Sequence, residues 1–171
     1  FMAEASSILA KKGQRVFIPD PTAGCPLADF ASIDQVENAW RVLDSFGISS
    51  DFIPIVYMNS SAELKAFCGK NGGLVCTSSS ARKAFEWASA QNKKIFFFPD
   101  ENLGRNTARD FGISEAETLL WDSYLNMSAF AGNSILEKRL IVWKGHCHVH
   151  TFFTVEHVEA VRREHEGCKV I

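Results

Sequence analysis

Lys94-Ile95-Phe96-Phe97-Phe98-Pro99-Asp100-Glu101-Asn102-Leu103-Gly104-Arg105 is the stretch whose reading decides the fold. Its first half is a short, continuous apolar run rather than an alternating one. Such a run suits a strand buried on both faces, as in a parallel sheet covered by helices on either side. Its second half turns polar at once, and Asp100 or Asn102 has the chemistry to cap a helix that follows.

Working outward, the same rhythm recurs. Runs rich in Val, Ile and Phe stand at Arg15–Ile18, Ile53–Tyr57, Leu74–Cys76, Leu140–Trp143 and Lys169–Ile171. Helical patterns fill the intervals, over about 2–12, 33–46, 61–69, 79–91, 102–111 and 154–166. Ser60-Ser61-Ala62-Glu63 has the spacing of a capping box. Alternating strand and helix predicts α/β units, three-layer α/β/α sandwiches on short parallel sheets with right-handed crossovers. Residues 113–139 break the rhythm as a long connection holding Trp121, Tyr124, Met127 and Phe130, either an extra helix or an irregular lid.

Composition narrows the class. Of the 171 residues 46% are hydrophobic and 22% charged, which excludes a disordered or collagen-like chain. A net charge of −2 leaves no electrostatic footprint for nucleic acid or an anionic membrane. No apolar run approaches the roughly 20 residues that span a bilayer. Five cysteines are an odd number for a disulfide framework, and a reducing, cytoplasmic compartment is the expectation. Phe1-Met2-Ala3-Glu4 falls inside a helical pattern and Cys168–Ile171 inside a strand-like run, so both ends read as cut and targeting is not legible.

The chemistry-bearing residues follow the strands directly. Pro19 to Cys25 follow the first run, Tyr57-Met58-Asn59-Ser60-Ser61 the second and Thr77-Ser78-Ser79-Ser80 the third. Pro99 to Arg105 and Lys144 to His150 follow the next two. Ligands of open α/β sheets bind outside the carboxyl ends of the strands, so these junctions should share one edge. Serines ahead of helices suit an anion, through free N–H groups and the helix dipole, although plain capping explains the same residues. Tyr57 and Asn59 alternate along a strand end and could share a face. Cys147, flanked by His146, His148 and His150, could join zinc or an iron–sulfur cluster, but one such segment lacks the donors for a closed site. Cys25 follows a glycine in a loop, unlike a packed thiol. Cys68, Cys76 and Cys168 read as structural.

Together these segments closely resemble the quinolinate synthase family. The resemblance runs in order from Phe1-Met2-Ala3-Glu4, through Pro19-Asp20 and Gly24-Cys25-Pro26-Leu27-Ala28, to Tyr57-Met58-Asn59-Ser60-Ser61-Ala62-Glu63-Leu64-Lys65. It continues through Cys76-Thr77-Ser78-Ser79 and Pro99-Asp100-Glu101-Asn102-Leu103-Gly104-Arg105 to Gly145-His146-Cys147-His148-Val149-His150. It implies a transferase of NAD biosynthesis that condenses iminoaspartate (iminosuccinate) with dihydroxyacetone phosphate to quinolinate. L-aspartate oxidase would supply the iminoaspartate.

It implies a [4Fe–4S] cluster held by three cysteines, one from each of three similar α/β domains, with the fourth iron open as a Lewis acid. Cys25 and Cys147 would be two of those ligands. Tyr57, Met58, Asn59 and Ser78 would bind substrate, and Tyr57 and His150 would be catalytic. The third cysteine, a His-Pro-Glu segment and a histidine and serine of the family pattern are expected outside residues 1–171, so the chain alone should be inactive. The 113–139 connection is longer than the resemblance leads one to expect. Residues 1–50 would belong to one domain, 51–147 to a central one and 148–171 to a further one. The alternatives are a non-catalytic anion-binding module and a zinc protein built on His146, Cys147 and His148 or His150; neither needs a thiol at Cys25.

Overall fold

A computed structural model describes residues 2–18, 20, 22, 24–125 and 135–169. It is α/β: a five-stranded, wholly parallel sheet with helices on both faces. In chain order the elements are α1 (Met2–Lys11), α2 (Ile33–Ser45), β1 (Phe52–Tyr57), α3 (Ala62–Lys70) and β2 (Leu74–Cys76). Then come α4 (Ala81–Ala90), β3 (Lys94–Phe98), α5 (Glu101–Arg109), β4 (Thr118–Trp121), β5 (Leu140–Trp143) and α6 (Val155–Glu164). The strands lie side by side as β2-β1-β3-β5-β4.

The continuous apolar runs divide their side chains between two cores, as a period of two requires. Phe52, Val56, Phe96, Phe98, Ile141 and Trp143 face one way and meet α2 and α3. Ile53, Ile55, Ile95, Phe97, Leu140 and Val142 face the other and meet α4 and α5. Aromatic rings knit each layer: Trp40 of α2 lies 5.7 Å from Phe67 and 6.0 Å from Phe96, and Phe85 of α4 lies 5.7 Å from Phe97. Truncating a phenylalanine in such a core costs about 3–5 kcal/mol. Gly104 lets α5 rest directly on the sheet, since a β-carbon there would meet Phe97 and Val142 at 2.8 Å.

The crossovers from β1 to β2, β2 to β3 and β3 to β4 keep one hand. Those moving one way across the sheet, β2 to β3 and β3 to β4, place α4 and α5 on one face. The one moving back, β1 to β2, places α3 on the other, where Ile135 ahead of β5 also lies.

Three expectations change. Arg15–Ile18 is not a strand: it has no sheet neighbour among the described residues, and Phe17 is 80% exposed beside the Arg15 guanidinium. The 113–139 connection contains β4, an edge strand only four residues long, too brief for its pattern to stand out. The capping residue of α3 is Ser61, whose hydroxyl accepts from Leu64 N, whereas Ser60 donates to the Tyr57 carbonyl. Paired capping boxes sit instead at Ser32 and Gln35 on α2, at Ser114 and Glu117 before β4, and at Thr154 and His157 on α6. The strand expected at Lys169–Ile171 falls partly outside the described residues, as do Phe1, Pro19, Met127 and Phe130. Among the described residues no helix is long and apolar enough to cross a membrane.

Candidate functional site

The chain leaves β1 toward β2, then recrosses β1 to form β3 on its other side. β1 and β3 are therefore neighbours whose outgoing connections part to opposite faces, which opens a crevice at their carboxyl ends. Val56 pairs with Phe98, so Tyr57 and the Pro99-Asp100 junction leave the sheet at one level. Asp100 is only 5% exposed and caps α5, its carboxylate accepting from Leu103 N at 2.8 Å.

Tyr57 is half-buried at this crevice. Burial pushes its phenol above the ordinary tyrosine range, and the neighbouring acidic group Asp100 adds to the rise; a hydrogen bond with Ser78 acts in the opposite direction. Ser78, Asp100 and Cys25 therefore all lie within interaction range of the Tyr57 phenol. At neutral pH Tyr57 is an un-ionised phenol, able to donate a hydrogen bond to an acceptor. Met58 N donates to the Cys76 carbonyl at 2.8 Å, tying the ends of β1 and β2 together. Met58 and Asn59 are half-buried in the bend after β1.

The serines differ in what they do. Ser61 is an ordinary cap. Ser80, at the start of α4, makes no capping bond to the helix; its hydroxyl accepts from Thr77 N at 2.8 Å and lies 3.0 Å from Thr77 Oγ1. Thr77 Oγ1 in turn accepts from Ser80 N at 3.2 Å, so the side-chain cap closes the turn before α4 and the first N–H groups of α4 itself receive none, beside the exposed Ser78. That arrangement suits an anion.

The cysteines fall into two groups. Cys68 and Cys76 are buried, and desolvation pushes both thiols up to about 12. Cys68 Sγ donates to the carbonyls of Pro54 and Leu74 at 2.9 and 3.2 Å. Neither suits a metal. Cys25 and Cys147 are half-exposed loop thiols. Their segments are packed together: Trp143 Nε1 donates to the Phe30 carbonyl at 2.8 Å, and the Phe30 ring lies 5.2 Å from that of His146. The donor chemistry fits part of a thiolate-bound cluster. Among the described residues no group of three or more His, Cys, Asp or Glu is placed to hold a metal ion, which bears equally on zinc at His146 to His150 and on a cluster at Cys25 and Cys147: either needs a further donor.

His150 lies in a 3-10 segment over His148–Phe152, its N–H donating to the Cys147 carbonyl at 3.1 Å and its ring exposed. It is not among the groups acting on Tyr57. Asp100, read from the sequence as a cap and as part of the polar junction after its strand but not as a site residue, is an addition to the site. Its signal was its place just after the strand beside β1.

The family model described as Quinolinate synthetase A protein matches residues 1–171. The chain is 46% identical over 182 positions to a quinolinate synthase of Rhodopirellula baltica, covering 100% of this chain and 46% of that protein. It is 48% identical over 172 positions to a quinolinate synthase of Acidobacterium capsulatum and 46% over 171 to one of a Geobacillus, again covering 100% of this chain and 46% of each. The chain thus spans about half the length of these curated relatives. Likeness of this extent, over every site segment described above, has one consequence: the chain belongs to the quinolinate synthase family.

Proposed function

We propose that this chain builds one side of the active site of a quinolinate synthase, which condenses iminoaspartate with dihydroxyacetone phosphate to quinolinate, phosphate and water. The observation that carries the reading is the surroundings of Tyr57, where Ser78, Cys25 and Asp100 converge at the crevice between β1 and β3.

Cys25 and Cys147 would hold two irons of a [4Fe–4S] cluster, with a third thiolate from beyond these 171 residues. When bound, such a cluster supplies Lewis-acid chemistry at its iron without a protein ligand. The chain's own residues bind and orient. Ser78, with the uncapped first turn of α4, takes a carboxylate. Tyr57 donates its phenol hydrogen to a second acceptor, and the Asn59 amide and Met58 side chain complete the wall. His150, three residues after Cys147, is the candidate for proton transfer. In the same reading residues 51–147 are the central one of three similar α/β domains, with 1–50 and 148–171 belonging to its neighbours. The enzyme works in the cytoplasm on iminoaspartate supplied by L-aspartate oxidase, and this chain alone is inactive.

The test is quinolinate formation and the cluster absorbance measured together in full-length protein carrying Tyr57→Phe, Asn59→Ala or Ser78→Ala. A hydrogen bond to a charged carboxylate contributes about 1.5–3 kcal/mol, so each change should lower turnover roughly ten- to hundredfold. The absorbance should stay. Normal turnover in all three variants rejects the site, and loss of the cluster in them reassigns these residues to fold support.

A further inference from the structure

We propose that Phe30 is a positioning residue, the centre of a clasp with Trp143 and Gly145 that sets how Cys25 and Cys147 present their thiolates to one cluster. The inference rests on the ligand assignment above. Loop thiols do not hold a geometry by themselves; metal ligands need support from packed neighbours.

The support on the Cys25 side is a single turn. The Cys25 carbonyl accepts from Ala28 N at 2.8 Å, Leu27 anchors the turn at 2% exposure, and Phe30 closes it. Three residues of the other segment then converge on Phe30. Trp143, fully buried at the end of β5, places its indole N–H on the Phe30 carbonyl, the partner a buried indole requires. His146, directly before Cys147, tilts its ring against the Phe30 ring at 45°. Between them Gly145 has no room for a side chain, because a β-carbon would lie 2.9 Å from Phe30 Cβ and 2.3 Å from the Pro99 carbonyl oxygen. The Gly145 carbonyl is itself held by Glu101 N at 2.8 Å.

Burial alone does not account for this convergence. His146 is exposed and Phe30 only half-buried, so their ring contact contributes little to the core. What it does is fix the residue next to Cys147 against the turn that begins at Cys25.

The experiment uses full-length protein, anaerobically reconstituted with iron and sulfide. It follows loss of the cluster absorbance to an iron chelator, the EPR signal of the reduced cluster and the melting curve of the cluster-free protein. Removing a partner that orients a metal ligand typically costs 10–100-fold in affinity. Phe30→Ala and Trp143→Phe should therefore lose the cluster at least roughly tenfold faster and shift the EPR signal. Phe30→Tyr should restore both, and cluster-free melting of Phe30→Ala should match the parent. Parent-like loss and EPR in both variants would overturn the clasp, as would faster loss that only follows an equal fall in melting temperature. Cys25→Ser and Cys147→Ser are run alongside. If either keeps a normal cluster, the ligand assignment fails and the clasp with it. If both lose it while Phe30→Ala and Trp143→Phe match the parent, the assignment stands and the clasp alone falls.

Discussion

A β-carbon on Gly73 would lie 1.9 Å from the Pro54 carbonyl oxygen, so the chain entering β2 passes β1 as bare backbone. The same oxygen accepts the Cys68 thiol, and that sulfur would be 2.7 Å from the added carbon. Gly73→Ala must push two strands apart and should cost about 3 kcal/mol, the upper part of the usual range for overpacking. Gly69, exposed in α3 with nothing within 4 Å, is the contrast. Gly69→Ala should stabilise by about 0.5–1 kcal/mol through helix propensity alone. Urea denaturation midpoints of the two variants should move in opposite directions.

The Tyr57 phenol should ionise only above the ordinary tyrosine value of 10.0. An ultraviolet pH titration, taken as the difference between the parent and Tyr57→Phe, isolates that step. Because burial is the largest cause, Asp100→Asn should lower the step while leaving it raised. A Tyr57 step at or below the ordinary value would contradict the crevice described here.

Thiol labelling should separate the cysteines. In native, cluster-free protein Cys68 and Cys76, with thiols pushed up to about 12, should resist a maleimide at pH 7, and unfolding should release both. Cys25, Cys147 and the exposed Cys168 should react first. Mass spectrometry of the labelled peptides reads the order directly.

Glu117 is held at about 2, below its ordinary 4.5, by the Ser114 backbone N–H and hydroxyl and by Arg139. A depressed carboxyl contributes stability above its unfolded value and loses it as pH falls through the folded one. The melting temperature of the parent should therefore exceed that of Glu117→Gln at pH 6. The gap should close between pH 4.5 and about 2.

Much of the fold is legible in the sequence because the central strands are uninterrupted apolar runs. Phe96, Phe97 and Phe98 read as a strand covered on both faces, and both faces are covered. β4 escaped because Thr118-Leu119-Leu120-Trp121 is short and pairs only with β5, while Arg15–Ile18 carried strand composition without a partner among the described residues. Local pattern reports what a segment can do, and pairing decides what it does. At the site, residue type and the position after a strand pointed to Tyr57, Ser78 and Cys25. No local pattern could reveal that Phe30 meets Trp143, 113 residues away.

The strand order also constrains how the sheet comes into being. β5 is last of the five in the chain yet lies between β3 and β4. Until Leu140–Trp143 is in place β4 has no partner, and β3 presents an open edge that β4 does not close. Growth in chain order therefore cannot finish this sheet, because β5 must pair with both β3 and β4; such non-local pairing delays folding and leaves strand edges open to other chains meanwhile. The strand that makes both pairings leads directly into Gly145, His146 and Cys147, which ties the place of the Cys147 segment to closure of the sheet.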